Sequence, residues 1–178
     1  CRWRSPTENI LHLAEQINKK KRLELKYLDL SDYNSIENTV SETKPDYIFH
    51  LAAQSFPKAS FDLREVTYDT NILGTDRLLY AVHKLKLNPI IHVCSSSEVF
   101  GRVKKKFIPI NEKVPFHPAS PYAISKIGTD YIANFYYEAY KLKILITRMF
   151  THTGPRRGDY FAESSFAKQI ALIEAGYQ

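Results

Sequence analysis

Two cysteines, Cys1 and Cys94, are all the sequence offers. They exclude a disulfide framework and a Cys-based metal site, and they suit a reducing compartment. No apolar run approaches the roughly 20 residues a membrane-spanning helix needs, and no charged-then-apolar leader opens the chain. The first residue is Cys1, not methionine, so the chain is expected to be a fragment of a longer reading frame. No internal repeat or low-complexity tract is present. Glycine is sparse. The six residues, Gly74, Gly101, Gly128, Gly154, Gly158 and Gly176, are scattered, and none forms a Gly-rich turn between a first strand and a first helix.

What is present supports a packed core. Residues of the hydrophobic class make up 44% of the 178 and aromatics 13%, which argues against wholesale disorder. The net charge of +6 favours acidic partners such as a nucleotide diphosphate. Much of the excess lies in Lys19-Lys20-Lys21-Arg22 and Lys104-Lys105-Lys106. These runs carry no interleaved aromatics for stacking bases, so they read as solvated turns and not as a nucleic-acid surface.

Strands and helices are expected to alternate. Ser5-Pro6-Thr7-Glu8 has the form of a helix start. Residues 23–28 read as a strand. Ser31 or Asp32 caps a helix that runs to about Thr43, where Lys44-Pro45-Asp46 breaks it. Residues 47–51 and 89–94 form continuous apolar strands of the kind found inside parallel sheets. A helix is expected over 66–87, with Leu78, Val82 and Leu85 on one stripe. Another spans 121–140, with Ala123, Ile127, Tyr131 and Phe135 every fourth residue. A strand over 143–148 and a helix over 162–175 complete the order. The fold class is therefore α/β, a doubly wound parallel sheet. In such sheets ligands bind beyond the carboxyl ends of the strands. Asp29-Leu30, Ala52-Ala53-Gln54-Ser55, Ser95-Ser96-Ser97-Glu98 and Phe150-Thr151-His152 should thus line one edge.

Two pairs carry candidate chemistry. Tyr122 and Lys126 are four apart and share a helix face. An ammonium beside a phenol favours phenolate, which can take a proton from a sugar hydroxyl. On its own this pair is common, and an ordinary helix surface also explains it. Ser96 and Glu98 are two apart at the end of a buried strand, so in extended chain they point the same way. There a hydroxyl can hydrogen-bond a reacting oxygen and a carboxylate can act as a base on carbon. A plain capping box is the blander alternative. His50 and His92 sit inside strands and read as core or edge histidines. Cys94 reads as a small buried residue, and Trp3 as packing.

Taken in order and spacing, Asp29-Leu30, Leu51-Ala52-Ala53-Gln54-Ser55, Ser96-Ser97-Glu98-Val99-Phe100-Gly101, Ser120-Pro121-Tyr122-Ala123-Ile124-Ser125-Lys126 and Gly154-Pro155-Arg156-Arg157-Gly158 resemble the GDP-mannose 4,6-dehydratases, extended short-chain dehydrogenases/reductases. The resemblance spans the chain. It implies a Rossmann-like fold that here is N-terminally truncated, its Gly-rich turn lying before Cys1 and most of its substrate domain after Gln178. Residues 1–178 would then be a partial NADP-binding domain. The resemblance implies roles position by position. Ser96 stands beside the substrate, Glu98 removes the C5 proton, Tyr122 takes the C4 hydroxyl proton, and Lys126 is its partner and a cofactor ribose ligand. Arg2, Arg4 and Ser5 would meet the 2′-phosphate of NADP. Asp29 and Leu30 would lie beside the adenine, Leu51, Ala52, Ala53, Gln54 and Ser55 along the cofactor, and His152 and Arg157 at further cofactor-side positions.

The chain departs from the family pattern in three places. Phe150-Thr151-His152 stands where the family has Phe-Asn-His, Glu163-Ser164-Ser165 replaces Thr-Arg-Lys, and Val66 replaces a tyrosine. The resemblance implies a cytoplasmic lyase, homo-oligomeric (dimer or tetramer) in its full length. It would act on a GDP-sugar, with no nucleic acid and no membrane as partner. The rivals are a reductase or epimerase of GDP-4-keto-6-deoxy sugars and a non-catalytic cofactor-binding regulatory protein.

Overall fold

A computed structural model describes residues 7–18 and 22–177. Arg2, Arg4, Ser5 and most of the Lys19–Arg22 run lie outside the described residues. The chain divides into two units, residues 25–150 and the two terminal segments, 1–24 with 151–178.

The 25–150 unit is built on three parallel strands in the order β1 (Tyr47–His50), β2 (Ile90–Cys94) and β3 (Lys143–Thr147). Tyr47 pairs with Ile90, and Ile90 with Lys143, so the three strands start level. Strand, helix, strand, helix, strand is the expected α/β alternation. Residues 23–28 do not form the expected strand. Leu25, Tyr27 and Leu28 are exposed, and a strand exists only through a partner's hydrogen bonds. No described segment provides that partner.

The helices begin and end where local chemistry dictates. Asp32 accepts the amide of Asn34 at 3.0 Å and caps Tyr33–Thr43, which stops at Lys44 in the left-handed region. Ser120 accepts the Ala123 amide at 3.0 Å and Pro121 occupies the first turn of Pro121–Tyr140, as N-terminal preferences require. The expected 66–87 helix runs over 64–84 and is not uniform. Arg64–Tyr68 passes through a π turn, Asp69–Leu73, into Gly74–Lys84. Such π turns inside helices often mark functional positions.

Ile36, Val40, Leu78, Leu79, Val82, Ile91, Val93, Ala133 and Tyr136 form the main core, which joins all three helices to one face of the sheet. On the other face of the sheet Phe49 is 69% and Leu145 57% exposed. Leu78 and Val82 take their expected places. Of the residues recurring every fourth position in the Pro121–Tyr140 helix, Ala123 is buried and Ile127 half-buried, whereas Tyr131 and Phe135 are exposed. The face that turns inward also carries Tyr122, Ser125, Lys126, Thr129 and Asp130. Among the described residues no helix is long and apolar enough to cross a membrane.

The terminal unit contains helical turns over Thr7–Leu13 and Ala14–Asn18 and a helix over Ala162–Glu174. Within it Asp159 and Lys168 pair at 2.7 Å.

Candidate active site

Beyond β2 the chain continues the ladder. The amides of Ser95 and Ser97 donate to the carbonyls of Thr147 (2.8 Å) and Met149 (3.0 Å). Ser96 is extended, and its hydroxyl accepts the Glu98 amide at 3.2 Å, capping the tight turn Ser97–Phe100. The Ser96 hydroxyl thus makes the cap that the blander reading expects. Glu98 is exposed, whereas Val99 and Phe100 anchor the turn in a small core with Val114. Gly101 closes the turn with φ +53°, and a Cβ there would lie 1.8 Å from the backbone oxygen of His117. Gly101→Ala is expected to destabilise the protein by about 3 kcal/mol or more, because strain and a backbone clash add. Equilibrium denaturation of the variant measures this.

The Pro121–Tyr140 helix brings the second pair to the same place. Tyr122 is buried. Burial pushes its phenol above the usual range, a hydrogen bond with the Ser96 hydroxyl pulls it back, and the Cys94 and Glu98 charges push it up further. The Lys126 ammonium donates to the Cys94 carbonyl at 2.6 Å and sits 6.0 Å from the centre of the Tyr122 ring. Burial lowers its pKa, against the opposing pull of Cys94 and Asp130. Ser96, Glu98, Tyr122 and Lys126 therefore converge. The phenol is raised here, not lowered as the pair alone leads one to expect, because desolvation is the largest influence on it and Lys126 is not among the groups that shift it.

A buried polar network, which the sequence reading did not anticipate, fixes these groups. Ser60 accepts the Tyr122 amide at 3.1 Å. Ser125 donates to the Tyr122 carbonyl and accepts from the Asn71 side-chain amide at 2.8 Å. Asn71 also accepts the Gln54 amide (2.8 Å) and donates to the Gln54 carbonyl (3.0 Å). Its own carbonyl takes the hydroxyls of Thr75 and Thr129. Asn71 lies in the π turn, where the local helical ladder is interrupted. His50 bonds Thr75 at 2.9 Å. Burial, then the Lys126 charge, lowers its pKa to about 4, so it is neutral at ordinary pH. The signal was present in Thr67, Asn71 and Thr75, spaced by four on one helix face, all three buried.

The other expected positions are distributed unevenly. Leu51, Ala52 and Ser55 are exposed after β1 and lie at the same sheet edge as Ser96, with Ala53 half-buried between them. Gln54 is buried, and its side chain turns back to accept the Phe56 amide at 2.7 Å. Asp29 accepts the Ser31 amide and hydroxyl in a local turn. Leu30 is a core residue; a Cβ on Gly74 would stand 2.8 Å from its own Cβ. His152 and Arg157 belong to the terminal unit. There Arg157 donates to the His152 carbonyl at 3.0 Å and lies 3.9 Å over the Phe161 ring. No group of metal-ligating side chains forms among the described residues.

Residues 2–178 match the model of the family described as GDP-mannose 4,6 dehydratase. The chain belongs to the GDP-mannose 4,6-dehydratase family. Curated relatives of that description include proteins from Caenorhabditis elegans, 37% identical over 90% of this chain, and Homo sapiens, 37% identical over 96%. Those matches cover 42% and 46% of the relatives, so the chain spans less than half their length. Among solved structures, RMD from Pseudomonas aeruginosa complexed with NADPH superposes with a TM-score of 0.81 at 28% identity, over 93% of this chain and 60% of that one. A dTDP-glucose 4,6-dehydratase from Streptomyces venezuelae with NAD bound gives 0.82 at 25% identity, over 96% and 50%. The family thus accounts for the parallel sheet.

Proposed function

We propose that the full-length protein is an NADP-dependent lyase that converts GDP-mannose to its 4-keto-6-deoxy product. The observation that carries this reading is the meeting of two bases of different kind. One is a buried phenol, Tyr122, whose pKa the Ser96 side chain lowers. The other is an exposed carboxylate, Glu98, close enough to act on that phenol. Oxidising a secondary alcohol needs one base on oxygen; eliminating water across the neighbouring bond needs a second on carbon. Tyr122 takes the proton of the C4 hydroxyl, with Ser96 holding the oxygen. Glu98 takes the C5 proton once C4 is a ketone, and water leaves from C6. The bound nicotinamide supplies the hydride acceptor and donor, unchanged over the cycle. Residues able to hold such a cofactor are present. Lys126 uses one of its three protons on Cys94, which leaves two for ribose hydroxyls, and the small Ala52 and Ala53 leave backbone accessible after β1. The relatives' names and the NADPH and NAD in the neighbouring structures support the same reading.

The test is incubation of full-length protein with GDP-mannose and no added reductant. Formation of a 4-keto sugar nucleotide is expected. The alternative, an epimerase or reductase, has support from the likeness to a UDP-glucose 4-epimerase of Thermus thermophilus, with a TM-score of 0.75 at 27% identity. Conversion of a 4-keto-6-deoxy sugar in place of GDP-mannose would favour it. Cofactor choice is carried by Arg2 and Arg4, whose guanidinium forks suit a phosphate dianion. The Arg2→Ala/Arg4→Ala double variant is expected to lose roughly tenfold or more in affinity for NADP over NAD, the scale of one charge-assisted contact. Cofactor titration of both forms measures it, and equal, unchanged affinities reject it.

A further inference from the structure

Tyr122, Lys126 and Asp130 follow one another at intervals of four on the buried face of the Pro121–Tyr140 helix, with 8%, 6% and 0% of their surface exposed. A carboxylate is almost never buried so fully without a partner. One oxygen of Asp130 has such a partner: Oδ2 accepts from Arg148 Nε at 2.7 Å. The other, Oδ1, is buried and has no hydrogen-bond partner. Arg148 reaches further. It donates to the Glu112 carbonyl at 3.0 Å, and its guanidinium lies 4.7 Å from the centre of the Phe116 ring and 5.8 Å from that of Phe100. Phe100 ends the turn that carries Glu98. One ion pair thus joins the helix bearing Tyr122 and Lys126 to the turn bearing Glu98.

We propose that Asp130 is a positioning residue: the buried counter-charge one helical turn from the Lys126 ammonium, and through Arg148 the link that keeps the Glu98 turn in register with the Tyr122–Lys126 helix. The proposal rests on the reading of Tyr122 and Lys126 as the proton-handling pair. The groups that face Lys126 narrow the choice of counter-charge. His50, from β1, is neutral, with a pKa of about 4. The Cys94 thiol, on β2, opposes burial at Lys126 more than Asp130 does, but burial pushes the thiol itself up, so it carries no charge at neutral pH. Tyr122 is likewise raised. Glu98 acts on Tyr122 and is not among the groups that shift Lys126. Arg148 reaches Asp130 from the end of β3 and is itself cationic. Asp130 remains as the carboxylate one helical turn from Lys126, and its charge opposes the effect of burial there.

The experiment is carried out on full-length protein with 13C-labelled lysine. The Lys126 signal is assigned by its loss in Lys126→Gln, and its titration is followed by NMR. Removing Asp130 removes a raising influence, so Asp130→Asn is expected to lower the Lys126 midpoint by about one pH unit or more, the scale for a nearby opposite charge. The alkaline limb of turnover should move down with it. Asp130→Glu should restore both. Asp130→Asn leaves Arg148 unpaired, so the Asp130→Asn/Arg148→Met variant, which removes both charges, guards against misfolding; because a repelling cation is lost with the carboxylate, its Lys126 midpoint should fall below the parent's but less than in Asp130→Asn. Parent-like Lys126 midpoints in Asp130→Asn and in the double variant overturn the proposal. The NMR readout needs no substrate, so a protein that fails to dehydrate GDP-mannose still decides the question about Asp130.

Discussion

Full-length protein carrying Glu98→Gln is expected to bind GDP-mannose and NADP+ as the parent does and to turn over roughly 10²-fold more slowly or worse, the usual loss when a positioned base is removed. Glutamine keeps the size and hydrogen-bonding shape of the side chain but cannot take a proton from carbon. Glu98 is exposed at the turn surface and the turn is anchored by Val99 and Phe100, so the substitution should leave stability unchanged. Oxidation at C4 does not need Glu98, so reduced nicotinamide should accumulate on the enzyme. The Glu98 charge also raises the Tyr122 pKa. Its removal therefore lowers that pKa, and the pH dependence of the first step should shift to lower pH. Turnover of Glu98→Gln at the parent rate would defeat the dehydratase reading and favour a reductase or epimerase.

Tyr122→Phe should act earlier and more completely. Tyr122 is buried, and the Ser96 side chain lowers its pKa. Phenylalanine fills the same space, so the cost to stability should be small, about 1 kcal/mol. The chemical cost is the loss of the base on oxygen, roughly 10²- to 10⁴-fold in rate. No reduced nicotinamide should form, even transiently, under single-turnover conditions. The contrast with Glu98→Gln, in which it accumulates, separates the two bases. In the parent enzyme, burial holds the Tyr122 pKa above its ordinary value, so the protonated phenol persists to higher pH. The rate of the first step should rise with pH until the phenol is ionised. A flat rate profile across the alkaline range would contradict Tyr122 as the base.

Parts of this architecture were legible because they are local. The cap at Ser120, the proline at Pro121 and the four-residue spacing of Tyr122 and Lys126 are properties of one helix. The apolar runs over 47–51 and 89–94 read as strands, and their alternation with helices implies parallel pairing; that they are covered on both faces does not follow, because Phe49 is 69% exposed on one of them. The strand over 23–28 was misjudged, because its composition states a preference but its existence depends on a neighbour. The four-residue recurrence through Tyr131 and Phe135 marks the helix but not its buried side, and only packing shows that Ser125, Lys126, Thr129 and Asp130 turn inward with Ala123 and Ala133.

The sequence by itself determined that the sheet is parallel, that Ser96 and Glu98 follow a strand and that Tyr122 and Lys126 share a face, because each depends on residues near one another in the chain. Only the tertiary structure decided what those groups experience. Tyr122 meets Ser96 and Glu98 across 24 to 26 positions, and Lys126 reaches the Cys94 carbonyl across 32. Asn71 ties the Gln54 loop to the Pro121–Tyr140 helix through a π turn, and Asp130 engages Arg148 beyond the end of β3. Burial set the direction of the Tyr122, Lys126 and His50 shifts. Desolvation is a property of everything packed around a group, and no local pattern encodes it.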